Sequence, residues 1–381
     1  MRLLLVSGDS SVAEGKQSTF RRVLESFRTG WNRIDVVLPP TSSEVQVTQF
    51  DNVFLHVNPG RKSSHLAFVA NRVSSLLEAH GHELVSAHIY GLCLHGIGAR
   101  IALRRSATDT RFMVEIHHVP GVPRSGGLRD SVEKELITRY IRWASPHVDA
   151  VRVVNAHEVP SYLVNICGVP AEKVVNVPSV FVDHEAAQLT NAPKVYDLMF
   201  CGRLMPNKGL DLLLATLQEV RRHRPEATLL VKSSGGTHLK WLKQEVMRLK
   251  LEEAVTVVEW VESPSDLARL YSQSRVFICT SYNEGGPRVT VEAMACATPV
   301  VSTRVGIMPD IIQSDVNGFL ADWNPVEIAQ HCLRLLEDEL LARRVGVAGY
   351  QTVRPMTREK VIQRYVEVYQ AIAQGQLTLV T

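Results

Sequence analysis

Closely spaced cysteines are missing from this sequence. Its six cysteines lie far apart along 381 residues, and no two form a C-x-x-C pair. Such spacing indicates neither a zinc site nor a disulfide framework, because both normally show recognisable cysteine spacings. We therefore expect a protein of a reducing compartment, which favours the cytoplasm.

A large excess of charge of one sign is also missing. The formal net charge is +3, with 20 Lys/Arg and 18 Asp/Glu in residues 1–190 and 22 and 21 in the rest. Nucleic-acid binders usually show a basic domain or stripe, so that class is disfavoured. Hydrophobic residues make up 45% and charged residues 21%, without low-complexity tracts. This composition excludes a disordered or fibrous chain.

Long apolar runs are absent as well. The opening stretch "MRLLLVSGDS" contains only five or so apolar residues, fewer than the apolar core of a signal peptide. We interpret it as a first buried strand. No run approaches the length of a membrane span, so any contact with a membrane would be peripheral.

Short, continuously apolar runs alternate with amphipathic stretches through the whole chain. Runs of this kind predict strands of a parallel sheet covered by helices on both faces. In the first half they are LLLVS (3–7), IDVVL (34–38), VFLHV (53–57), ELVSAHI (83–89), RFMVEIH (111–117), DAVRVV (149–154) and KVVNV (173–177). In the second half they are YDLMFC (196–201), ATLLVK (227–232), AVTVVEW (254–260), RVFICT (275–280), TPVVST (298–303) and GFLA (318–321). Helices are predicted between them, including 209–223 and 325–345.

The pattern predicts an α/β protein with two Rossmann-like, doubly wound parallel-sheet domains facing a cleft. The polar stretch 185–197 suggests the boundary, so we assign residues 1–190 and 191–355 to the two domains. A last segment, 356–381, contains a helix that we expect to pack back on the first domain. Ligands of open parallel sheets bind beyond the carboxyl ends of the strands, which places the expected site in the cleft.

The stretch "NEGGPRVTVEAMA", residues 283–295, is unusual among the loops that follow these strands. Gly285, Gly286 and Pro287 precede a predicted helix, with Pro287 suited to its first position. Free backbone N–H groups and the positive end of the helix dipole favour phosphate there. Glu284 and Glu292 could then accept hydrogen bonds from sugar and ribose hydroxyls. Read alone, they are equally compatible with a helix-capping loop carboxylate and a solvated helix residue.

A second stretch, "FCGRLMPNKGLDLLL" (200–214), reads as strand, turn and helix. Arg203 and Lys208 are predicted on the connecting loop, where two cations can neutralise a diphosphate. The alternative is an ordinary pair of surface cations. The two stretches together favour a site for a nucleoside-diphosphate sugar.

These residues resemble the retaining glycosyltransferases of family 4, which have the GT-B architecture. The family's E-x7-E motif is matched by Glu284 and Glu292, and its G-R-x-x-x-x-K-G motif by "GRLMPNKG", Gly202 to Gly209. The loop "VGIMPDII" (305–312) resembles the family's G-G-x-P-E-[IV], with Asp310 in place of Glu. The match is looser in the first domain: Gly15 corresponds to a glycine at the first helix start, and His117 to a histidine that points at the donor sugar.

The resemblance implies transfer of a sugar from a nucleoside-diphosphate donor to an acceptor hydroxyl, with retained anomeric configuration. His117, Arg203, Lys208 and Glu284 are the implied catalytic residues. Donor-binding roles are implied for Gly15, Gly202, Gly285, Gly286, Pro287, Arg288 and Glu292. No D-x-D motif occurs, so we expect no metal and no cofactor beyond the donor itself. His117 could instead be structural.

Two other interpretations of this architecture stay open. One is a non-catalytic subunit that binds a nucleotide sugar, and the other is an epimerase or phosphorylase with the same fold. Glycan, glycolipid or cell-envelope polysaccharide synthesis is the expected pathway class, with a glycan or lipid-linked acceptor. The basic segments 20–33 and 99–111 are compatible with peripheral contact at the anionic inner face of a membrane. A dehydrogenase is disfavoured because the first strand-helix turn lacks G-x-G-x-x-G.

Overall fold

The computed structural model describes residues 1–16, 18–41, 43–106, 108–184 and 192–377. The predicted domain boundary between residues 190 and 191 lies outside the described residues. The described chain forms two separate β-sheets, each covered by helices on both faces. This is the predicted α/β class with two Rossmann-like parallel-sheet domains.

The first sheet has the strand order β3-β4-β2-β1-β5-β6-β7-β8. Its strands are β1 (Arg2–Val6), β2 (Arg33–Leu38), β3 (Gln49–Phe50), β4 (Val53–Val57), β5 (Leu84–His88), β6 (Arg111–Ile116), β7 (Ala150–Val153) and β8 (Val174–Asn176). All pair in parallel except β3, which pairs antiparallel with β4. This strand has only two residues, which is too short for sequence periodicity to reveal it. Its helices are α1 (Thr19–Phe27), α2 (His65–His80), α3 (Leu94–Arg105), α4 (Leu128–Ala144) and α5 (Glu158–Asn165).

The second sheet is entirely parallel, with the order β11-β10-β9-β12-β13-β14. Its strands are β9 (Tyr196–Leu204), β10 (Leu229–Gly236), β11 (Val255–Val258), β12 (Ser274–Cys279), β13 (Val300–Thr303) and β14 (Phe319–Ala321). Its helices are α6 (Leu210–His223), α7 (Leu239–Arg248), α8 (Pro264–Gln273), α9 (Arg288–Ala295), α10 (Met308–Ile311), α11 (Pro325–Glu337) and α12 (Glu339–Val353). A last helix, α13 (Arg358–Ala373), follows.

Alternating strand residues build a core on each face of each sheet, because successive side chains point to opposite sides. In β1, Leu4 and Val6 join the core beneath α2 to α5, whereas Leu3 and Leu5 join the core formed with α1. The helix α13 belongs to this second core, and its Tyr365 and Tyr369 rings lie 5.6 and 5.4 Å from the Phe27 ring. The end of the chain therefore stabilises the first sheet.

Both sheets have a point where the strand order reverses, between β1 and β5 in the first and between β9 and β12 in the second. Crevices at such points are the usual ligand sites of doubly wound sheets. The stretches singled out in the sequence follow β9 and β12, so the topology places them at the reversal point of the second sheet.

Three local expectations were wrong. The predicted helix 325–345 is two helices, because Asp338 has extended dihedral angles (φ −110°, ψ 97°) and caps α12. Arg203 lies within β9, since pairing with β10 continues to Leu204, and not on the following loop. Gly15 does not start a helix, because it lies in a turn with φ +74° and α1 begins at Thr19.

Asp338 gives a test of the break between α11 and α12. Its Oδ1 accepts the Leu341 N–H at 2.9 Å. We expect Asp338→Ala to lower the free energy of unfolding by about 1 kcal/mol, because an N-cap bond is lost. Denaturant titration measures the change, with Asp338→Asn as the control that keeps a capping oxygen. Equal stability of all three proteins would contradict this role.

Candidate functional site

A cavity of about 760 Å³ lies where the reversal points of the two sheets face each other. On the first-domain side its walls are the residues that follow β1, β5 and β6, together with side chains of α1 and α13. On the second-domain side they are Arg203, Gly286 and Arg288. The volume is within the usual range for small-molecule sites. The predicted cleft therefore contains residues from both domains.

Arg203 is the most accessible predicted cation of this cavity. It is exposed, it lies one residue before the end of β9, and it has no hydrogen-bond or ion-pair partner among the described residues. An unpaired guanidinium in a concave site favours an anionic ligand, since its planar fork matches phosphate oxygens.

Lys208 and Glu284 form an ion pair, with Lys208 Nζ 2.6 Å from Glu284 Oε1. Their side chains are only 14% and 12% exposed, and neither lines the cavity wall. The Ser281 hydroxyl also donates to Glu284. The pair connects the turn after β9 to the loop after β12, and it lies close to Gly202, the residue before Arg203.

The glycines of the loop after β12 allow the two domains to touch. A Cβ on Gly285 would lie 2.1 Å from the carbonyl oxygen of His117, and one on Gly286 would lie 2.6 Å from a Val180 methyl carbon. Pro287 is the residue before α9 and not its first residue. Proline has no N–H, so any amide contribution of this loop must come from its neighbours.

Glu292 lies one turn inside α9. Its carboxylate accepts a hydrogen bond of 3.1 Å from the Tyr271 hydroxyl and pairs with Arg288 Nε at 3.0 Å. Burial raises the pKa of Glu292, although Arg288 and Tyr271 oppose the shift. Arg288 reaches both Glu292 and the cavity wall, so the predicted donor residues on α9 form one connected group.

His117 lies just beyond β6 and joins a buried network. Its Nε2 is 3.5 Å from Glu115 Oε2, and Glu115 also contacts His88 Nε2 at 3.1 Å. The Arg152 guanidinium donates to Glu115, to the Val177 carbonyl and to the Tyr365 hydroxyl. The His117 side chain is 45% exposed, yet desolvation in the cleft and the nearby Arg152 charge lower its pKa, so its ring is neutral near pH 7.

The ligand-type atoms of His88, Glu115 and His117 lie within 4.8 Å of one another. The buried guanidinium of Arg152 already binds Glu115 and lies 3.4 Å from His117 Nε2. A positive charge in this position disfavours a metal cation. The network is better suited to holding the two imidazoles at the cavity wall than to metal binding.

Sequence reasoning missed Arg152 and the two tyrosines of α13. The sequence does carry a signal for Arg152, because it is an arginine inside the apolar run DAVRVV. A fully buried arginine there needs polar partners elsewhere in the fold. Nothing in the local sequence connects Tyr365 to a residue 213 positions earlier. Gly15, Gly202, Gly285, Pro287 and Glu292 do not line the cavity wall, whereas His117, Arg203, Gly286 and Arg288 do.

Polar contacts join the domains beside the cavity. The Asp310 carboxylate accepts the Ala156 N–H at 2.7 Å and lies 2.6 Å from His157 Nδ1. Glu158 accepts the Gly306 N–H at 2.8 Å, while its other oxygen is buried without a hydrogen-bond partner among the described residues. Burial raises the pKa of Glu158 to about 8, and the nearby carboxylates of Asp310 and Glu284 add to the shift.

The raised pKa of the Glu158 carboxyl predicts that the stability of the protein depends on pH. Between pH 5 and 8 the unfolded chain releases the Glu158 proton at its ordinary pKa while the folded protein keeps it, so the contribution of Glu158 to stability falls as pH rises. We expect the melting temperature of Glu158→Gln minus that of the unchanged protein to increase over this range.

Thermal unfolding at half-unit pH steps measures the difference. The control is Glu226→Gln, which removes an exposed carboxylate. If the melting temperatures of Glu158→Gln and the unchanged protein change with pH in parallel, Glu158 ionises at its ordinary pKa and the prediction is wrong.

Among the described residues, no helix combines the length and the apolar character needed to cross a bilayer. Peripheral contact with a membrane, as expected from the basic segments, does not need such a helix, because it depends on the charge of the protein surface.

Residues 182–352 match a protein-family model described as "Glycosyl transferases group 1". A curated relative from Segniliparus rotundus, "D-inositol 3-phosphate glycosyltransferase", is 31% identical over 194 residues, covering 50% of this chain and 43% of the relative. "Putative glycosyltransferase YtcC" of Bacillus subtilis is 26% identical over 189 residues, covering 46% and 45%. This chain thus spans less than half the length of the curated relatives it matches.

Solved structures resemble the whole chain. Sucrose-phosphate synthase from Thermosynechococcus elongatus superposes with a TM-score of 0.80 at 19% identity, covering 97% of this chain and 98% of that one. Anabaena HepE in complex with UDP and glucose gives 0.72 at 19% identity, covering 97% and 100%. At this identity the likeness shows a shared fold, with two Rossmann-like domains.

Proposed function

We propose that the chain is a group 1 glycosyltransferase that transfers a sugar from a nucleoside-diphosphate donor to an acceptor hydroxyl, with retention, because residues 182–352 match that family's model and the whole chain has the GT-B fold. The unpaired guanidinium of Arg203 in the interdomain cavity, beside the Lys208–Glu284 pair, is the observation that carries the proposal. The named complex of HepE makes UDP and UDP-sugars the first donors to test. We further propose that the transferred sugar is a hexose, which makes the protein a hexosyltransferase-type enzyme.

The leaving diphosphate would be stabilised by Arg203 from the cavity wall and by Lys208 from behind it. Negative charge grows on the diphosphate as the glycosidic bond breaks, and preorganised positive groups stabilise that state more than the ground state. The N–H groups at the start of α9 add to this effect. No metal is required in this scheme, because the cations neutralise the diphosphate.

Glu284 would orient the donor sugar and Glu292 the ribose. A carboxylate accepts two hydroxyls at once, and Glu292 would exchange its contact with Arg288 for the ribose while Arg288 turns to the phosphates. Neutral His117 would form a hydrogen bond with a hydroxyl of the donor sugar. The leaving phosphate would take the proton of the acceptor hydroxyl.

The two domains would divide the substrates between them. We propose that residues 1–190 hold the acceptor and residues 191–355 the donor, and that the last segment, 356–381, supports the first domain. The acceptor would be a glycan or a lipid-linked glycan used in glycolipid or cell-envelope polysaccharide synthesis.

Donor binding tests this proposal directly. UDP should raise the melting temperature of the protein, because a ligand that binds only the folded state stabilises it. Arg203→Ala should lower the affinity for UDP about tenfold or more, since a charge-assisted bond is lost. Lys208→Ala should have a smaller effect, because Lys208 is already paired with Glu284.

The matched control is Arg222→Ala, an exposed arginine that pairs with Glu219 on α6. The proposal fails if no nucleoside diphosphate stabilises the protein, or if the Arg203→Ala/Lys208→Ala double variant binds UDP as the unchanged protein does. A screen for transfer and donor hydrolysis then separates a transferase from a non-catalytic subunit, an epimerase and a phosphorylase.

We also propose that the protein acts at the cytoplasmic face of an anionic membrane and contacts that membrane through the segment 99–111. The arginines of the segment 20–33 are engaged with carboxylates, as Arg21, Arg22, Arg28 and Arg33 each lie near one. Arg104 and Arg105 are exposed without a carboxylate partner among the described residues. This difference favours the second segment.

Replacing Arg104 and Arg105 together by Gln should weaken the affinity for phosphatidylglycerol vesicles in co-sedimentation about thirtyfold, since each arginine near an anionic surface contributes about 1 kcal/mol. Arg222→Gln is the control on the other domain. Equal sedimentation of the three proteins, or equal binding to uncharged phosphatidylcholine vesicles, would contradict the membrane contact.

A further inference from the structure

The two walls of the interdomain cavity differ in charge. The charged side chains that line it from the second domain are Arg203 and Arg288, both cations. Those from the first domain are Asp9, Glu115 and Arg152, with a net charge of −1 when the histidines are neutral. A donor diphosphate needs the positive wall. The acceptor must therefore bind against the first-domain wall, which has no excess of positive charge to attract anions.

The single cation of the first-domain wall is fully engaged. Arg152 is 1% exposed and donates to Glu115, to the Val177 carbonyl and to the Tyr365 hydroxyl. A buried guanidinium with these partners is not available to a phosphate, because binding would break several charge-assisted bonds. The neighbouring cations of this domain also have carboxylate partners: Lys16 with Glu14, Arg21 with Glu25, and Arg22 with Asp183.

Aromatic rings and small polar groups make up much of the rest of this wall. Phe20 lies against His88, with ring centroids 6.1 Å apart, and Tyr365 and Tyr369 close the side formed by α13. Ser7 Oγ is 3.3 Å from His88 Nδ1, and Asp9 follows two residues later. Phe20 is half-buried, whereas the two tyrosines are buried and form the base of this wall. A half-buried aromatic face beside an exposed carboxylate suits a sugar ring, which presents both C–H faces and hydroxyl donors.

Accepting the transferase function proposed above, we infer that the acceptor is an uncharged sugar unit and that Asp9 disfavours phosphorylated sugars. Phe20 supports one face of the ring. Asp9 accepts hydroxyl protons and repels a phosphate group, since like charges at close range in a cavity are strongly unfavourable. The specificity of the acceptor thus comes from the first domain and that of the donor from the second.

Matched acceptor pairs test this inference. With the donor that stabilises the protein most, initial rates of transfer are measured for myo-inositol and D-inositol 3-phosphate, glucose and glucose 6-phosphate, and mannose and mannose 6-phosphate. We expect kcat/KM for the neutral member of a pair to exceed that of the phosphorylated member about tenfold or more. Binding of each compound to the UDP-loaded protein is measured in parallel by thermal shift.

Two variants make the test specific to the residues. Asp9→Asn keeps an oxygen for the Ser11 N–H, which Asp9 accepts at 3.0 Å, and removes the charge. It should reduce the preference for neutral acceptors several-fold, mainly through a lower KM for the phosphorylated ones. Phe20→Ala should raise the KM of neutral acceptors about tenfold, and Phe20→Tyr, which keeps the aromatic face, should restore it.

The outcomes separate this inference from the proposed function. Better use or tighter binding of phosphorylated sugars, or an unchanged preference in Asp9→Asn, overturns the inference and leaves the transferase function intact. Binding of no neutral sugar at about 50 mM, roughly the upper limit of a useful assay, also overturns it. Failure of every nucleoside diphosphate to bind instead removes the proposed function.

Discussion

The close approach of the loop after β12 to the end of β6 is the constraint on which the site depends. Gly285 lies so near the His117 carbonyl that a side chain would occupy the same space. A Cβ on Gly306, at φ +53°, would lie 2.3 Å from the Gly285 carbonyl oxygen, so the loop is held between the first domain and the turn after β13. This double contact brings Arg203 and Arg288 opposite His117. Without it each half would present an open crevice and no cavity.

Buried charge gives the cavity its second organising feature. Arg152, on β7, connects β6, the residue after β8 and α13, because its guanidinium binds Glu115, the Val177 carbonyl and Tyr365. Removing one partner of such a network leaves an uncompensated buried charge, which is strongly unfavourable. The first-domain wall therefore carries a net charge of −1 with its one cation engaged, whereas the second-domain wall carries two cations and keeps Arg203 available. The difference follows both from the sign of the lining charges and from their pairing.

Periodicity was a good guide to the strands and a poor guide to their ends. All thirteen apolar runs contain a strand, because residues buried on both faces must be apolar whatever they pack against. Arg203 was assigned to a loop, since nothing local shows that β10 continues to pair with β9 through Gly202 and beyond. The break at Asp338 was missed for a similar reason: helical periodicity continues across it, and only the backbone angles and the cap reveal it.

The sequence by itself determined the α/β class, the parallel character of the sheets and the two stretches that carry Arg203, Lys208, Glu284 and Glu292. These features follow from local spacing, which the chain contains in full. Only the tertiary structure decided which of these side chains face the cavity, that Lys208 and Glu284 neutralise each other, and that Arg152 and Tyr365 meet across most of the chain. Those facts depend on distances between residues far apart in sequence, and such distances are set by packing and domain contact, which no local pattern encodes.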